Sequence, residues 1–253
     1  MKKMFVLVMM AMIILSAGYA MAAVTNSLHN LTTGGPTGGP NSGGTGSVCG
    51  FCHIPHGGDT SVVGLPLWAR NATGVVGGYT VYGDTDGAPG GTGATLSNTT
   101  VEQPGANSLT CLSCHDGTTG LGVLVKNGVT LNPIAMNPGT GFVTGAGALD
   151  WSGYNGAMTA ANNAYNPVIG GAAGDDLRDD HPVGIAYTNA APNIAGLDAV
   201  ANIPGKGLRL YTYAGGRTNS LECGSCHDPH ITTWGSFLRI SEPTLCQACH
   251  TSK

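Results

Sequence analysis

The segment CGFCHIPH, residues 49–56, carries two cysteines and two histidines within eight positions. Cys49, Cys52 and His53 form the pattern C-x-x-C-H, in which two thiols attach a c-type haem and the adjacent imidazole ligates its iron. His56 lies only three residues beyond His53, too close along the chain to reach the opposite face of the same iron. The segment therefore predicts one haem site and one histidine that serves a different iron.

The same pattern occurs four times and uses all eight cysteines of the chain. Four disulfides, two four-thiolate zinc sites or a thioredoxin-like motif are alternative uses of such cysteines. None of these alternatives needs a histidine after every pair, so we predict four covalently bound haem c groups, numbered 1 to 4 in chain order. Their motifs are Cys49/Cys52/His53, Cys111/Cys114/His115, Cys223/Cys226/His227 and Cys246/Cys249/His250.

Four histidines lie outside the motifs, namely His29, His56, His181 and His230. Four six-coordinate irons need the same number of second ligands, so the count predicts bis-histidine ligation at every haem. Full ligation leaves no coordination position open for a substrate. The count therefore predicts an electron carrier that is not an enzyme, whereas a multihaem reductase would need an iron without its sixth ligand.

An internal repeat groups the four motifs in pairs. CGFCHIPH recurs as CGSCHDPH at residues 223–230, and each copy is followed by tryptophan, leucine and arginine and then by a second motif. Residues 49–115 are thus predicted to hold haems 1 and 2, and residues 223–250 to hold haems 3 and 4.

This repeat also suggests which histidine ligates which iron. We predict that His56 reaches haem 2 and that His230 reaches haem 4, because each lies just before the second motif of its unit. His29 and His181 then remain for haems 1 and 3, in an order that the spacing leaves open.

The first 22 residues are predicted to be a signal peptide. Two lysines precede an apolar run at residues 4–15, and Ala20-Met21-Ala22 fits a small-x-small cleavage site. The run is shorter than the ~20 residues that cross a bilayer, and no later segment is long and apolar enough to do so. We therefore expect an exported mature chain, residues 23–253, without a membrane span.

The composition predicts a chain rich in turns. The 253 residues include 42 glycines, and only 9% of the residues are charged. Glycine disfavours helices and strands, so we expect one domain of mostly loops and turns with short helices and a few short strands, organised around the four haems. The formal net charge of −4, with no basic patch, argues against a nucleic-acid partner.

A few segments predict local structure. Asn127-Gly128 lies between apolar runs and predicts a hairpin turn. Short strands are expected in residues 75–83 and 208–215. His181 is the only ligand expected in the segment 116–222, and the attachment motifs are expected on short helical turns.

Several segments together resemble a known family. They are His29 with its glycine-rich arm, VCGFCHIPHGG, LTCLSCHDG, DHPVG, CGSCHDPH and CQACH, and they resemble the tetrahaem extracellular c-type cytochromes of the nanowire (OmcE-like) family. The likeness covers nearly the whole mature chain, and its specific part is the set of ligands.

The resemblance implies subunits that stack head to tail into a conductive filament for extracellular electron transfer. It also implies that an N-terminal histidine, here His29, ligates a haem of the adjacent subunit. The implied partners are further copies of the chain and other redox proteins or extracellular electron acceptors, at an extracellular or cell-surface location. The alternative is a monomeric tetrahaem shuttle in the periplasm.

Overall fold

The computed structural model describes part of the chain, including all eight cysteines and all eight histidines. The described residues are 3–6, 9, 23–33, 35, 41–42, 47–59, 64, 67–72, 78–82, 101–116, 121–131, 134, 136–137, 169, 176–178, 181–187, 196–213 and 217–251. Most of the predicted signal peptide, residues 1–22, lies outside them. In the part described, no helix combines the length and the apolar character needed to cross a membrane.

Three α-helices carry attachment motifs. Helix α1 spans Ala106–His115, α2 spans Cys223–Cys226 and α3 spans Glu242–Cys249. Pro243 in the first turn of α3 suits a helix start, because the first N–H groups of a helix have no partner within it. Two short 3₁₀ turns, Val200–Asn202 and Pro204–Lys206, precede the second unit.

The described strands are each two residues long and form three antiparallel pairs. Strand β1 (Asn41–Ser42) pairs with β4 (Met136–Asn137), β2 (Val125–Lys126) with β3 (Val129–Thr130), and β5 (Ile185–Ala186) with β6 (Ser220–Leu221). These strands and the short helices confirm the expected architecture of mostly loops and turns among the described residues.

The predicted hairpin at Asn127-Gly128 is confirmed. The φ angles of these two residues are 53° and 74°, as a type I′ turn requires, and the turn joins β2 to β3. Strands are also expected in residues 75–83 and 208–215. In the described residues each of these segments forms only one isolated β-bridge, between Thr80 and Asp176 in the first and between Tyr211 and Ser220 in the second. Residues 75–77, 83 and 214–215 lie outside the described part of the chain.

Two small apolar clusters hold these elements together. One contains Leu112 of α1 with Ile185 of β5 and Leu221 of β6, and the other contains Ala248 of α3 with Ile203. Leu112 and Ala248 each lie between the two cysteines of a motif. The second and fourth attachment motifs are therefore anchored directly in these clusters.

The internal repeat extends to the backbone. In the first unit, the Ile54 N–H donates to the Leu67 carbonyl at 2.9 Å and the Ala69 N–H donates to the Cys52 carbonyl at 2.9 Å. Leu67 lies in the left-handed region with a φ of 49°. The segment at residues 67–69 thus runs beside the first motif.

The second unit repeats this arrangement. The Asp228 N–H donates to the Phe237 carbonyl at 2.7 Å, and the Arg239 N–H donates to the Cys226 carbonyl at 2.9 Å. Phe237 has a φ of 57°, matching Leu67 in the first unit. Two bond pairs and one rare backbone conformation recur at equivalent positions, which supports the two-unit organisation predicted from the sequence.

Candidate haem sites

Each attachment motif forms one helical turn. Positions i and i+4 lie on the same face of such a turn, so the first cysteine and the histidine of a motif face the same group. The second motif is the C-terminal turn of α1. In the other three, the histidine N–H donates to the carbonyl of the first cysteine: His53 to Cys49 at 2.7 Å, His227 to Cys223 at 3.0 Å and His250 to Cys246 at 2.8 Å.

Two motif histidines face a histidine from elsewhere in the chain. The ring centroids of His29 and His115 are 6.1 Å apart, and those of His53 and His230 are 6.2 Å apart. Two imidazoles bound to opposite faces of one metal, with metal–nitrogen bonds of ~2 Å, place their ring centroids roughly 6 Å apart. The spacing of both pairs therefore fits a bis-histidine iron.

A third histidine outside the motifs, His181, lies near His250. Burial lowers the pKa of His181, and the charge of nearby His250 lowers it further. His181 is thus the described histidine outside the motifs that lies beside the fourth motif.

The hydrogen bonds of the imidazoles suit metal binding. The Nδ1–H of His227 donates to the Ser236 carbonyl at 2.8 Å, and the Nδ1 of His181 lies 3.2 Å from the Pro182 carbonyl. A donor bond at Nδ1 leaves the lone pair of Nε2 free for a metal and fixes the orientation of the ring. The donor set therefore fits haem iron.

His230 is oriented by a carboxylate. Its Nδ1 lies 3.3 Å from Oδ1 of Asp228, and the other oxygen of Asp228 accepts from Nη1 of Arg239 at 2.9 Å. Burial acts to raise the pKa of Asp228, but the bonds from His230 and the charge of Arg239 outweigh it, so the pKa lies below its ordinary value. Asp228 therefore stays ionised beside the ring.

His29 is held by an aromatic ring. Phe237 stacks on it with the centroids 4.3 Å apart and the planes 9° from parallel. Burial, followed by the charge of His115, lowers the pKa of His29 to about 3. The imidazole is therefore neutral near pH 7, and the neutral form is the one that ligates a metal.

His56 and His227 have no facing imidazole ring among the described residues. His56 is exposed, and no hydrogen bond, ion pair or ring contact joins it to another described residue. His227 lies near His29, but the ring of His29 faces His115. Ring spacings therefore match the first and second motifs, a charge effect places His181 near the fourth, and the third motif and His56 remain.

These pairs differ from the ones that the sequence suggested. His29, and not His56, faces His115 of the second motif, while His230 faces His53 of the first motif and not His250 of the fourth. The prediction relied on proximity along the chain. In the structure the two units are interleaved, so histidines far apart in sequence lie opposite each other.

The attachment cysteines follow one another in space in the order of the sequence. Burial raises the pKa of the Cys52 thiol to about 12, and the nearby Cys114 thiol adds to this increase. A hydrogen bond between the thiols of Cys111 and Cys223 raises the pKa of Cys111 and lowers that of Cys223. These contacts link motif 1 to motif 2 and motif 2 to motif 3.

The third and fourth motifs are adjacent in the same way. Burial raises the pKa of the Cys226 thiol to about 11, and the thiols of Cys249 and Cys246 contribute to the increase. Contacts between cysteine thiols thus join the motifs in series from 1 to 4.

Helices α1 and α2 cap each other at the middle of this series. The N–H groups of Cys223 and Gly224 in α2 donate to Ser108 Oγ at 2.9 Å and Asn107 Oδ1 at 2.7 Å. In return, Oε2 of Glu222 accepts from the Gly105 N–H at 3.0 Å, just before α1. Each helix thus satisfies N–H groups that would otherwise be unpaired at the start of the other.

Sequence reasoning missed the residues that support the ligands. Arg70 is fully buried, donates to the carbonyls of Ser113 and Leu121, and lies beside Cys114. Asp228 could have been predicted from the sequence, because it lies inside CHDPH, two residues before the predicted ligand His230. Arg70 and Phe237 had no comparable signal, because their roles depend on contacts distant in sequence.

Comparison with known proteins agrees with this site. Residues 217–253 match the doubled CXXCH motif family, which covers the third and fourth motifs. No curated protein matches the chain closely enough to count as a relative. The family match indicates a multihaem c-type cytochrome, in which haem c is bound covalently and electron transfer is the function.

Proposed function

We propose that the chain is an exported tetrahaem cytochrome with bis-histidine ligation that polymerises head to tail into an extracellular, electron-conducting filament, similar to the nanowire (OmcE-like) family. When bound, haem c supplies one-electron redox chemistry. The chain's own residues hold the four sites in series and supply both axial ligands of each. With every axial position taken, the protein is a carrier and not an enzyme.

One observation supports a polymer over the monomeric periplasmic shuttle. Two facing histidine pairs account for motifs 1 and 2 within one chain, and His181 lies near His250 of motif 4, which leaves His227 of motif 3 and the exposed His56. If His56 of one subunit ligates the iron at His227 of the next, every site is complete. Such a contact joins two different surfaces, and when the rotation between neighbours does not close a ring it generates a filament.

The surroundings of His56 and His227 fit a contact between subunits. Leu67, at the start of the segment that runs beside the first motif, and Trp234, in the loop that supports His227, are 56% and 52% exposed. Large exposed apolar side chains beside an incomplete site are typical of a surface that a partner covers. Ile54 also replaces the carboxylate that orients the equivalent His230, so His56 is free to turn outward.

This proposal changes the role given to His29. The family resemblance implied that His29 would ligate a haem of the adjacent subunit, but its ring faces His115 of its own chain and stacks on Phe237. We therefore assign His29 to the second site in the same subunit and His56 to the contact between subunits.

The test compares His56→Ala with His29→Ala in the secreted protein. We expect His56→Ala to give single subunits, with one of the four ferric haems changed from low spin to high spin. The matched variant His29→Ala should also create one high-spin haem but should still form filaments. Electron microscopy measures assembly, and ferric absorption and electron paramagnetic resonance measure the spin state.

Two results would count against the proposal. Normal filaments with four low-spin haems in His56→Ala would exclude ligation by His56 between subunits. A wild-type protein that stays monomeric at all concentrations, with four low-spin haems, would favour the periplasmic shuttle.

A further inference from the structure

Glu222 is a buried carboxylate at the centre of the series of attachment motifs. Only 1% of the residue is exposed, and it immediately precedes Cys223 of the third motif. It also contacts the start of α1, which carries the second motif. The proposed function gives no role to this group.

The carboxylate accepts from residues on both sides of the joint between α1 and α2, including the Ser225 N–H of its own helix. Oε2 accepts from Ser108 Oγ at 2.5 Å and from the Gly105 N–H, while Oε1 accepts from Ser220 Oγ at 2.6 Å and lies 3.4 Å from Nη1 of Arg217. Burial raises the pKa of Glu222, and the hydrogen bonds and Arg217 offset part of this effect. The group is therefore satisfied when ionised and yet easier to protonate than a carboxyl in water.

The charges around Glu222 are few. Arg217 faces it from the segment before β6, and Nε of Arg217 lies 2.9 Å from the half-exposed Glu102, so the arginine is shared between two carboxylates. Tyr213 lies close enough that the charge of Glu222 adds to the effect of burial in raising the pKa of its hydroxyl. Cys223, the other titratable neighbour, becomes an uncharged thioether once haem is attached.

We propose that Glu222 binds a proton when an electron enters the second or third haem site. The electron comes from the redox partner and the proton comes from solvent, so the carboxylate becomes a carboxylic acid and the net charge of this buried region is unchanged. Added negative charge near a carboxylate raises its proton affinity, and the low effective dielectric of the interior strengthens that coupling. Arg217 links Glu222 to Glu102, and the half-exposed side chain of Glu102 connects this series of ion pairs to solvent.

This inference rests on covalent haem at motifs 2 and 3 and does not depend on polymerisation. Mass analysis of the intact protein separates the two questions. Fewer than four attached haems would contradict the proposed function. The role of Glu222 is tested separately, by the pH dependence of the reduction potentials.

The experiment measures the reduction potentials of the intact protein as a function of pH. In the wild type, the potentials of the second and third haems should fall as pH rises through the titration range of Glu222, by up to ~59 mV for each tenfold change in proton concentration. Glu222→Gln, which keeps the size and an oxygen acceptor but cannot be ionised, should remove this dependence. Redox-difference infrared spectra should show a carboxylic-acid band on reduction that Glu222→Gln lacks.

Two further variants make the test specific. Ser108→Ala removes a hydrogen bond that favours the ionised carboxylate, so the pH-dependent range should move to higher pH; this result stands even if Glu222→Gln does not fold. Glu242→Gln changes an exposed carboxylate in the first turn of α3 and should leave the profile as in the wild type. An unchanged pH slope in Glu222→Gln, or no movement in Ser108→Ala, would overturn the inference.

Discussion

His56 and His230 occupy equivalent positions in the two C-x-x-C-H-x-P-H segments, but the side chains around them differ. Asp228 lies two residues before His230 and bonds its Nδ1, whereas Ile54 stands at the same position before His56. The partner of Asp228, Arg239, is likewise replaced by Ala69 in the first unit. These differences in side chains accompany the two roles that we propose for the two histidines.

The support of His230 by Asp228 predicts a pH-dependent stability. Asp228→Asn removes the charge that pairs with Arg239, and because both groups are partly exposed we expect a loss of about 1 kcal/mol in the free energy of unfolding at pH 7. The folded pKa of Asp228 is lowered, so its stabilisation is present above the unfolded pKa of about 3.9 and is lost as the pH falls through the lower folded value. Urea unfolding between pH 2 and pH 7 measures the difference.

The matched control is Asp176→Asn. Asp176 pairs with Arg178, and both side chains are exposed, so the loss should be below ~0.5 kcal/mol. Equal stability of Asp228→Asn and the wild type at pH 7 would contradict the role given to Asp228.

At the scale of elements, the joint between α1 and α2 depends on close approach of the backbone. A Cβ on Gly105 would lie 2.6 Å from Oε1 of Glu222 and would also overlap the ring of Tyr213. The two helices can exchange hydrogen bonds only because this position has no side chain. The glycine content of the chain thus has a specific use here, besides favouring turns.

Gly105→Ala should therefore destabilise the protein by about 1–3 kcal/mol, as expected for overpacking. Gly205→Ala is the control, because nothing lies within 4 Å of the added Cβ and the change should be near neutral. Chemical denaturation compares the two variants. A loss in Gly105→Ala no larger than in Gly205→Ala would show that the joint tolerates a wider spacing.

The elements that could be predicted from sequence are the local ones. Asn127-Gly128 specifies its own turn, and each C-x-x-C-H motif specifies its own helical turn. The pairing of β5 with β6 joins residues 185–186 to residues 220–221 through two-residue strands, which are too short to carry a periodic pattern. The same limit applies to the ligands: the histidines were identified by counting, but their pairing depends on long-range contacts.

At the scale of the whole molecule, the described secondary structure is short and the apolar clusters are small. The two units share their backbone arrangement but not their side chains. Arg239 of the second unit aligns with Ala69 of the first and not with Arg70. The eight covalent attachments of the proposed four haems would limit the freedom of the unfolded chain much as disulfides do. The fold is therefore expected to depend on its attached groups.

The chain produced without haem attachment should lack a cooperative unfolding transition, because its own core is too small to offset the entropy of ordering so many loops. Circular dichroism during thermal unfolding measures this, with the exported, haem-loaded protein as the control. A sharp transition in the haem-free chain would show that the polypeptide alone specifies the fold.

The contact between the thiols of Cys111 and Cys223 has a consequence for biogenesis. Covalent attachment of haem needs access to each sulfur atom, and docking of α1 on α2 brings the segments that carry these two cysteines together. We therefore expect thioether formation at these two motifs to come before docking. Maturation would then follow an order at the centre of the protein, in which chemistry at the second and third motifs comes first and assembly of the joint follows.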